Sequence, residues 1–152
     1  MRVVILGCGR VGANLANSLD LEGHTVSIVD HRSESFQRFL STEFRGSVIL
    51  GNGLDEDVLK SAGIEQADVF AAVTDRDNTN IMASQIAETV FGVKKVVCRI
   101  YDPNRNEAYR TLGLETVAPI MISANRIRDM LKTGEQTLGL RDRQSGTPQT
   151  RG

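Results

Sequence analysis

The stretch Arg2-Val3-Val4-Ile5-Leu6-Gly7-Cys8-Gly9-Arg10-Val11-Gly12 decides the fold. Arg2–Leu6 is a β-branched, nearly all-apolar run, the pattern of a strand covered on both faces. A G-x-G-x-x-G follows it directly and opens a segment of helical periodicity, Val11–Leu21. Each glycine answers a physical need: Gly7 permits the tight turn, Gly9 lets backbone approach a pyrophosphate, and Gly12 lets helix pack on sheet. The free N–H groups and partial positive charge of the helix start then face the phosphates. Asp30, about 20 positions further on, completes the dinucleotide-type fingerprint.

Outward from this unit, strand-like runs alternate with amphipathic segments. The runs are Thr25–Asp30, Ser47–Leu50, Asp68–Val73, Lys95–Tyr101 and, more weakly, Glu115–Ala118. The helical segments are Ser33–Thr42, Asp55–Ala62, Asn78–Phe91, Asn104–Leu112 and Ile122–Leu131. Such alternation predicts right-handed crossovers and a doubly wound, six-stranded parallel α/β sheet of Rossmann type. Gly23, Gly63, Gly92 and Gly113 each follow a helix, where a left-handed residue favours glycine. Ser33, Asp55 and Asn104 read as helix N-caps, and Pro103 marks where a strand has ended. Residues 1–132 are expected to form one domain. Thr133–Gly152, without periodicity, reads as a flexible tail.

Composition narrows the function. Net charge is −1, so no global field would draw nucleic acid to the chain. No apolar run reaches the roughly 20 residues of a membrane span. The N-terminal run is too short for a signal peptide, which predicts a cytoplasmic protein. Cys8 and Cys98 show no metal or redox spacing.

The candidate site follows from the fingerprint. Asp30 would accept hydrogen bonds from ribose hydroxyls and repel a 2′-phosphate, or else cap the helix that follows. Arg32 beside it keeps NADP open. Arg10 would reach a terminal phosphate with its planar donor fork, or else lie solvated on the first helical turn. Gly51-Asn52-Gly53 and Thr74–Asn78 lie at carboxyl ends of strands, where open α/β sheets bind ligands. Asn52 would read an adenine edge or simply form a turn. Thr74 would approach ribose or phosphate, and Arg99 would face either the ligand or a surface carboxylate. His24 reads as packing, and His31 as lining adenosine. No nucleophile, base and orienting group share a recognisable spacing, and the fold leaves no substrate-binding half. The expectation is no enzyme, with an NAD-dependent oxidoreductase fragment as the alternative.

These residues also resemble a family. The segments 1–12, Gly51-Asn52-Gly53-Leu54-Asp55-Glu56-Asp57-Val58-Leu59, Ala62-Gly63-Ile64 and 67–74 are similar to the RCK N-terminal (TrkA-N) domain. So are Asn80-Ile81-Met82-Ala83 and the segment from Phe91 to Ile100. The resemblance is to stand-alone cytosolic subunits of Trk/Ktr-type potassium uptake systems. It implies a regulatory subunit that dimerises, forms rings under a membrane potassium-translocating partner and responds to ATP, ADP or NAD(H). Carried over by position, Gly7, Gly9, Arg10, Val11 and Gly12 form the phosphate loop. Asp30 would hold ribose, while His31, Asn52 and Thr74 would line adenosine. An arginine matching Arg10 contacts the terminal phosphate in the Ktr-like branch, which favours ATP/ADP. Family members often carry aspartate where this chain has Asn52, and usually carry a C-terminal RCK domain. The segment Ile122–Leu131 resembles the family's crossover helix, its Ile122, Ile127, Met130 and Leu131 fitting either a neighbouring subunit or packing within the chain.

Overall fold

The computed structural model describes residues 1–142, with side chains through Thr133. Residues 1–118 form one compact unit and the chain from Pro119 a second. The first is built on six parallel strands: β1 (Arg2–Leu6), β2 (Thr25–Asp30), β3 (Ser47–Leu50), β4 (Val69–Ala72), β5 (Lys95–Arg99) and β6 (Thr116–Val117). Their spatial order is β3-β2-β1-β4-β5-β6, the doubly wound arrangement read from the alternating pattern. Between them run α1 (Arg10–Leu21), α2 (Ser33–Phe39), α3 (Glu56–Ser61), α4 (Asp77–Thr89) and α5 (Pro103–Thr111). A single 3-10 turn, Ile64–Gln66, precedes β4. The chain reverses winding between β1 and β4, where Leu6 pairs with Ala72. A crevice at the carboxyl ends of those strands is the expected outcome.

β1 explains why the sheet holds. Its side chains alternate, Val3 and Ile5 joining one core with Ala13 and Ala16 of α1, Val4 and Leu6 joining the other with Ala83 and Ala87 of α4. All four are buried, each contributing about 1.5–3 kcal/mol. Gly23, Gly63, Gly92 and Gly113 all take the left-handed conformation expected after their helices.

Two caps differ from expectation. Asp55 caps α3 as read, accepting from the Asp57 N–H at 2.8 Å. Ser33 is instead the first residue of α2, whose N-cap position is Arg32, without a side-chain cap. α5 starts at Pro103, whose fixed φ suits a first helical position. Its cap is therefore Asp102 and not Asn104, with the carboxylate accepting from the Asn104 and Arg105 N–H groups.

The described residues of the second unit form one helix, α6 (Pro119–Asp142). It starts ahead of Ile122 and continues past Leu131, so the expected tail from Thr133 begins inside it. Residues 143–152 of that tail lie outside the described residues. Ile122, Ile127, Met130 and Leu131 are 58–69% exposed on α6. No helix of the described residues is long and apolar enough to cross a membrane.

Candidate functional site

The site begins where β1 ends. Gly7 turns the chain with φ +105°, and its N–H donates to the Val29 carbonyl at 2.8 Å. A Cβ on Gly7 would stand 2.9 Å from the Thr74 backbone nitrogen, so the β1 and β4 loops touch only because it has none. At Gly12 a Cβ would run into the Gly7 carbonyl oxygen and crowd the Val73 side chain, so this glycine closes the turn as well as the helix–sheet gap. The space over Gly9 is open, as backbone approach by a ligand requires. α1 then starts with neither a side-chain cap nor an acidic residue in its first turn. Its leading N–H groups stay available to an anion.

Asp30 ends β2 and is 5% exposed. Its carboxylate accepts from the Cys8 N–H at 2.8 Å and from the Arg32 N–H at 2.9 Å. One acid thus orders the glycine loop and the residue before α2 while keeping free lone pairs. His31 Nδ1 and Arg32 Nε approach it at 3.6 and 3.8 Å, both side chains more than half exposed. Burial and the Asp30 charge push the Cys8 thiol up to about 11, so it stays protonated within the loop.

These elements border a cleft of about 890 Å³. It is lined by Gly7, Gly9, Arg10, Val11, Asp30, His31, Arg32, Asn52, Thr74 and Arg99, so all the expected site residues converge there except Gly12, which lies behind the turn. Asn52 turns its Oδ1 back onto the Leu54 N–H at 3.1 Å, a local turn that leaves only its NH₂ for a ligand. Arg10 is exposed on the first residue of α1.

Of the two expected surroundings, a ligand cleft or a surface carboxylate, Arg99 has the first. It is 8% exposed, donates from Nη2 to the Thr74 carbonyl at 2.8 Å and lies 4.7 Å from the Tyr101 ring centre. Its Nε has no hydrogen-bond partner, and the ion pairs among the described residues do not include it. It faces no surface carboxylate.

Sequence reasoning missed Phe39 and Arg38, which line the cleft from the end of α2, and Arg76 and Tyr101 on the β4 and β5 sides. It also missed Asn80. This wholly buried amide accepts from the Thr74 N–H and hydroxyl at 2.9 and 2.7 Å and donates to the Thr74 and Arg99 carbonyls, both at 2.9 Å. No local pattern marks it, because its partners come from two other segments.

The profile of the TrkA-N domain matches residues 3–119, that is, the whole sheet with its cleft. The chain belongs to the TrkA-N domain family. Among curated relatives, the Trk system potassium uptake protein TrkA of Streptomyces coelicolor is 47% identical over 139 residues, covering 91% of this chain and 62% of that protein. The TrkA homolog of Methanothermobacter thermautotrophicus is 38% identical over 117 residues, covering 77% of this chain and 53% of its own length. This TrkA-N chain thus spans little more than half of such relatives.

Solved structures share the fold at low identity. The AMP-bound Kef C-terminal domain of Shewanella denitrificans superimposes with a TM-score of 0.74 at 22% identity, covering 95% of this chain and 92% of that one. GsuK bound to ADP gives 0.72 at 21% identity, covering 88% of this chain and 34% of that one. The GsuK channel bound to NAD gives 0.64 at 18% identity, covering 76% and 21%. The TrkA-N family and the doubly wound fold thus stand as the sequence implied.

Proposed function

We propose that this TrkA-N chain is the nucleotide-binding regulatory part of a potassium uptake system of Trk/Ktr type, with ATP or ADP as ligand and NAD(H) as the competing one. The observation that carries the reading is the uncapped start of α1 opening onto a cleft that the buried carboxylate of Asp30 also borders. Donors for a pyrophosphate and an acceptor for a sugar then border one space, joined where the Cys8 N–H donates to Asp30. The potassium-uptake names of the relatives support the wider role, as do the AMP, ADP and NAD described for structures of this fold.

In this reading Gly7, Gly9, Val11 and Gly12 shape the phosphate loop and Arg10 meets the terminal phosphate. Asp30 holds ribose, and His31, Arg32, Asn52 and Thr74 line the nucleoside side. The chain works in the cytoplasm as a dimer or ring, with the exposed apolar side chains of α6 covered by a neighbour, and docks on a membrane potassium-translocating subunit. Regulation requires that two shapes of the assembly bind the ligands with different affinity. No catalytic step is assigned to it.

Isothermal calorimetry with ATP, ADP, AMP and NAD tests the ligand, and small-angle scattering tests the switch. Micromolar binding and a ligand-dependent change in dimensions are expected. Absence of binding by all four compounds overturns the reading. Turnover of NAD(H) with small carbonyl compounds would instead favour an oxidoreductase fragment.

A further inference from the structure

A buried guanidinium is normally neutralised by a carboxylate, since burying a lone charge is costly. Arg99 is held by neutral groups: the Thr74 carbonyl and the Tyr101 ring. The frame around it is built by Asn80. Three of the four groups bonded to that amide are backbone atoms of fixed character, one N–H and two carbonyls. They dictate its orientation, Oδ1 toward the Thr74 N–H and Nδ2 toward the carbonyls of Thr74 and Arg99. With Oδ1 so placed, the Thr74 hydroxyl has two acceptors inside the wall for its one proton, Asn80 Oδ1 at 2.7 Å and the Arg76 carbonyl at 3.3 Å. That hydroxyl meanwhile accepts from the Arg76 N–H at 3.2 Å, and the Thr74 methyl lies toward Gly7. On the wall beside the glycine loop, Thr74 offers an anion no proton. Arg99 is the buried donor there, with Arg76 and Tyr101 beside it in the cleft lining.

We propose that Asn80 is a positioning residue of the nucleotide site. It fixes Arg99 and Thr74 through a neutral amide, so that the buried cation stays unneutralised until a phosphorylated ligand arrives. This rests on the nucleotide reading above. Asn80 Nδ2 and Arg99 Nη2 donate to the same Thr74 oxygen, so a carboxylate at position 80 would lie one atom away from the guanidinium and quench it. The two carbonyls that accept from Nδ2 already require an amide here, and the inference adds a second reason against aspartate, its charge.

Asn80→Asp in the full chain tests this, with thermal denaturation and calorimetry for adenosine, AMP, ADP and ATP. Adenosine, which meets Thr74, is expected to bind somewhat more weakly, and ADP and ATP to lose at least about tenfold more than adenosine does, the worth of one charge-assisted contact. The discriminating readout is the ratio of ADP to adenosine affinity, because a merely structural role would weaken both ligands by one factor. Asn80→Ser, which drops the tether without adding charge, covers the case in which the aspartate variant does not fold. It should lower the same ratio by a smaller factor. An unchanged ratio in a folded variant overturns the proposal while leaving the nucleotide reading intact. Failure of the wild-type chain to bind any of the four compounds overturns both.

Discussion

The Cys8 N–H donates to Asp30 Oδ2 at 2.8 Å, so the acid expected to grip a sugar also anchors the loop expected to hold phosphate. The two halves of the site are thereby one mechanical unit. The other oxygen of the same carboxylate takes the Arg32 N–H at 2.9 Å. An asparagine at this position would present an NH₂ to one of two N–H donors. Asp30→Asn is expected to lower stability by about 1–3 kcal/mol, the cost of leaving a buried donor unmade. It should also weaken adenosine binding at least about tenfold, because the ribose loses a charged acceptor. Urea denaturation and calorimetry read the two effects separately. Undiminished adenosine affinity would remove the sugar role and leave only the anchor.

Gly12 gives a prediction whose sign is informative. In an ordinary helix interior, replacing glycine by alanine stabilises by about 0.5–1 kcal/mol. Here the new Cβ meets the Gly7 carbonyl oxygen and lies 3.1 Å from Val73 Cγ2, atoms of a turn and a strand end that cannot both retreat. Gly12→Ala is therefore expected to destabilise by about 1–3 kcal/mol. It should also weaken nucleotide binding by shifting the loop. A gain in stability on urea unfolding would mean that the turn yields freely.

What was legible in the sequence is what depends on local spacing. Gly7, Gly9 and Gly12 sit at offsets set by a strand–turn–helix, and Asp30 at the end of the next strand, so chain geometry brings them together. β1 with its two buried faces followed from apolar composition alone. Asn80 and the orientation of Arg99 were not legible, because their meaning lies in Thr74, a residue of a third segment. A polar residue in a helix and an arginine ending a strand look the same whether they face water or a cleft. The start of α5 was misread because Asn104 is a good cap by type, whereas Pro103 already fits a first turn and Asp102 reaches the N–H groups first. The end of α6 was missed since Gly, Thr and Gln blur the period.

Arg10 separates phosphate recognition from nucleoside recognition. As an exposed cation on the first residue of α1, it opposes the helix dipole in the absence of ligand. Arg10→Ala should therefore leave stability unchanged or raise it by about 0.3–1 kcal/mol. ATP affinity should fall about tenfold while NAD binding changes less than about twofold, since NAD has no terminal phosphate to lose. Equal losses for the two ligands in parallel calorimetric titrations would exclude the terminal-phosphate role.

The Cys8 thiol links the glycine loop to pH. Burial is the main cause that lifts it from 9.0 to about 11, with the Asp30 charge second. A folded value above the unfolded one means that the native state keeps a proton the unfolded chain releases between those limits. Stability from this source is complete below pH 9 and lost as pH rises toward 11, about 2–3 kcal/mol in all. Cys98, also buried and shifted upward, adds to the loss in the same direction. Urea unfolding of the wild type and Cys8→Ala at pH 8.5 and 10.5 isolates the Cys8 share, because lysine, tyrosine and Cys98 titrations are common to both proteins. The wild type should lose about 2 kcal/mol more than the variant over that interval. A gap between the two proteins that did not vary with pH would mean that Cys8 titrates as an ordinary exposed thiol, and that the loop is more open to water than its burial in the folded chain allows.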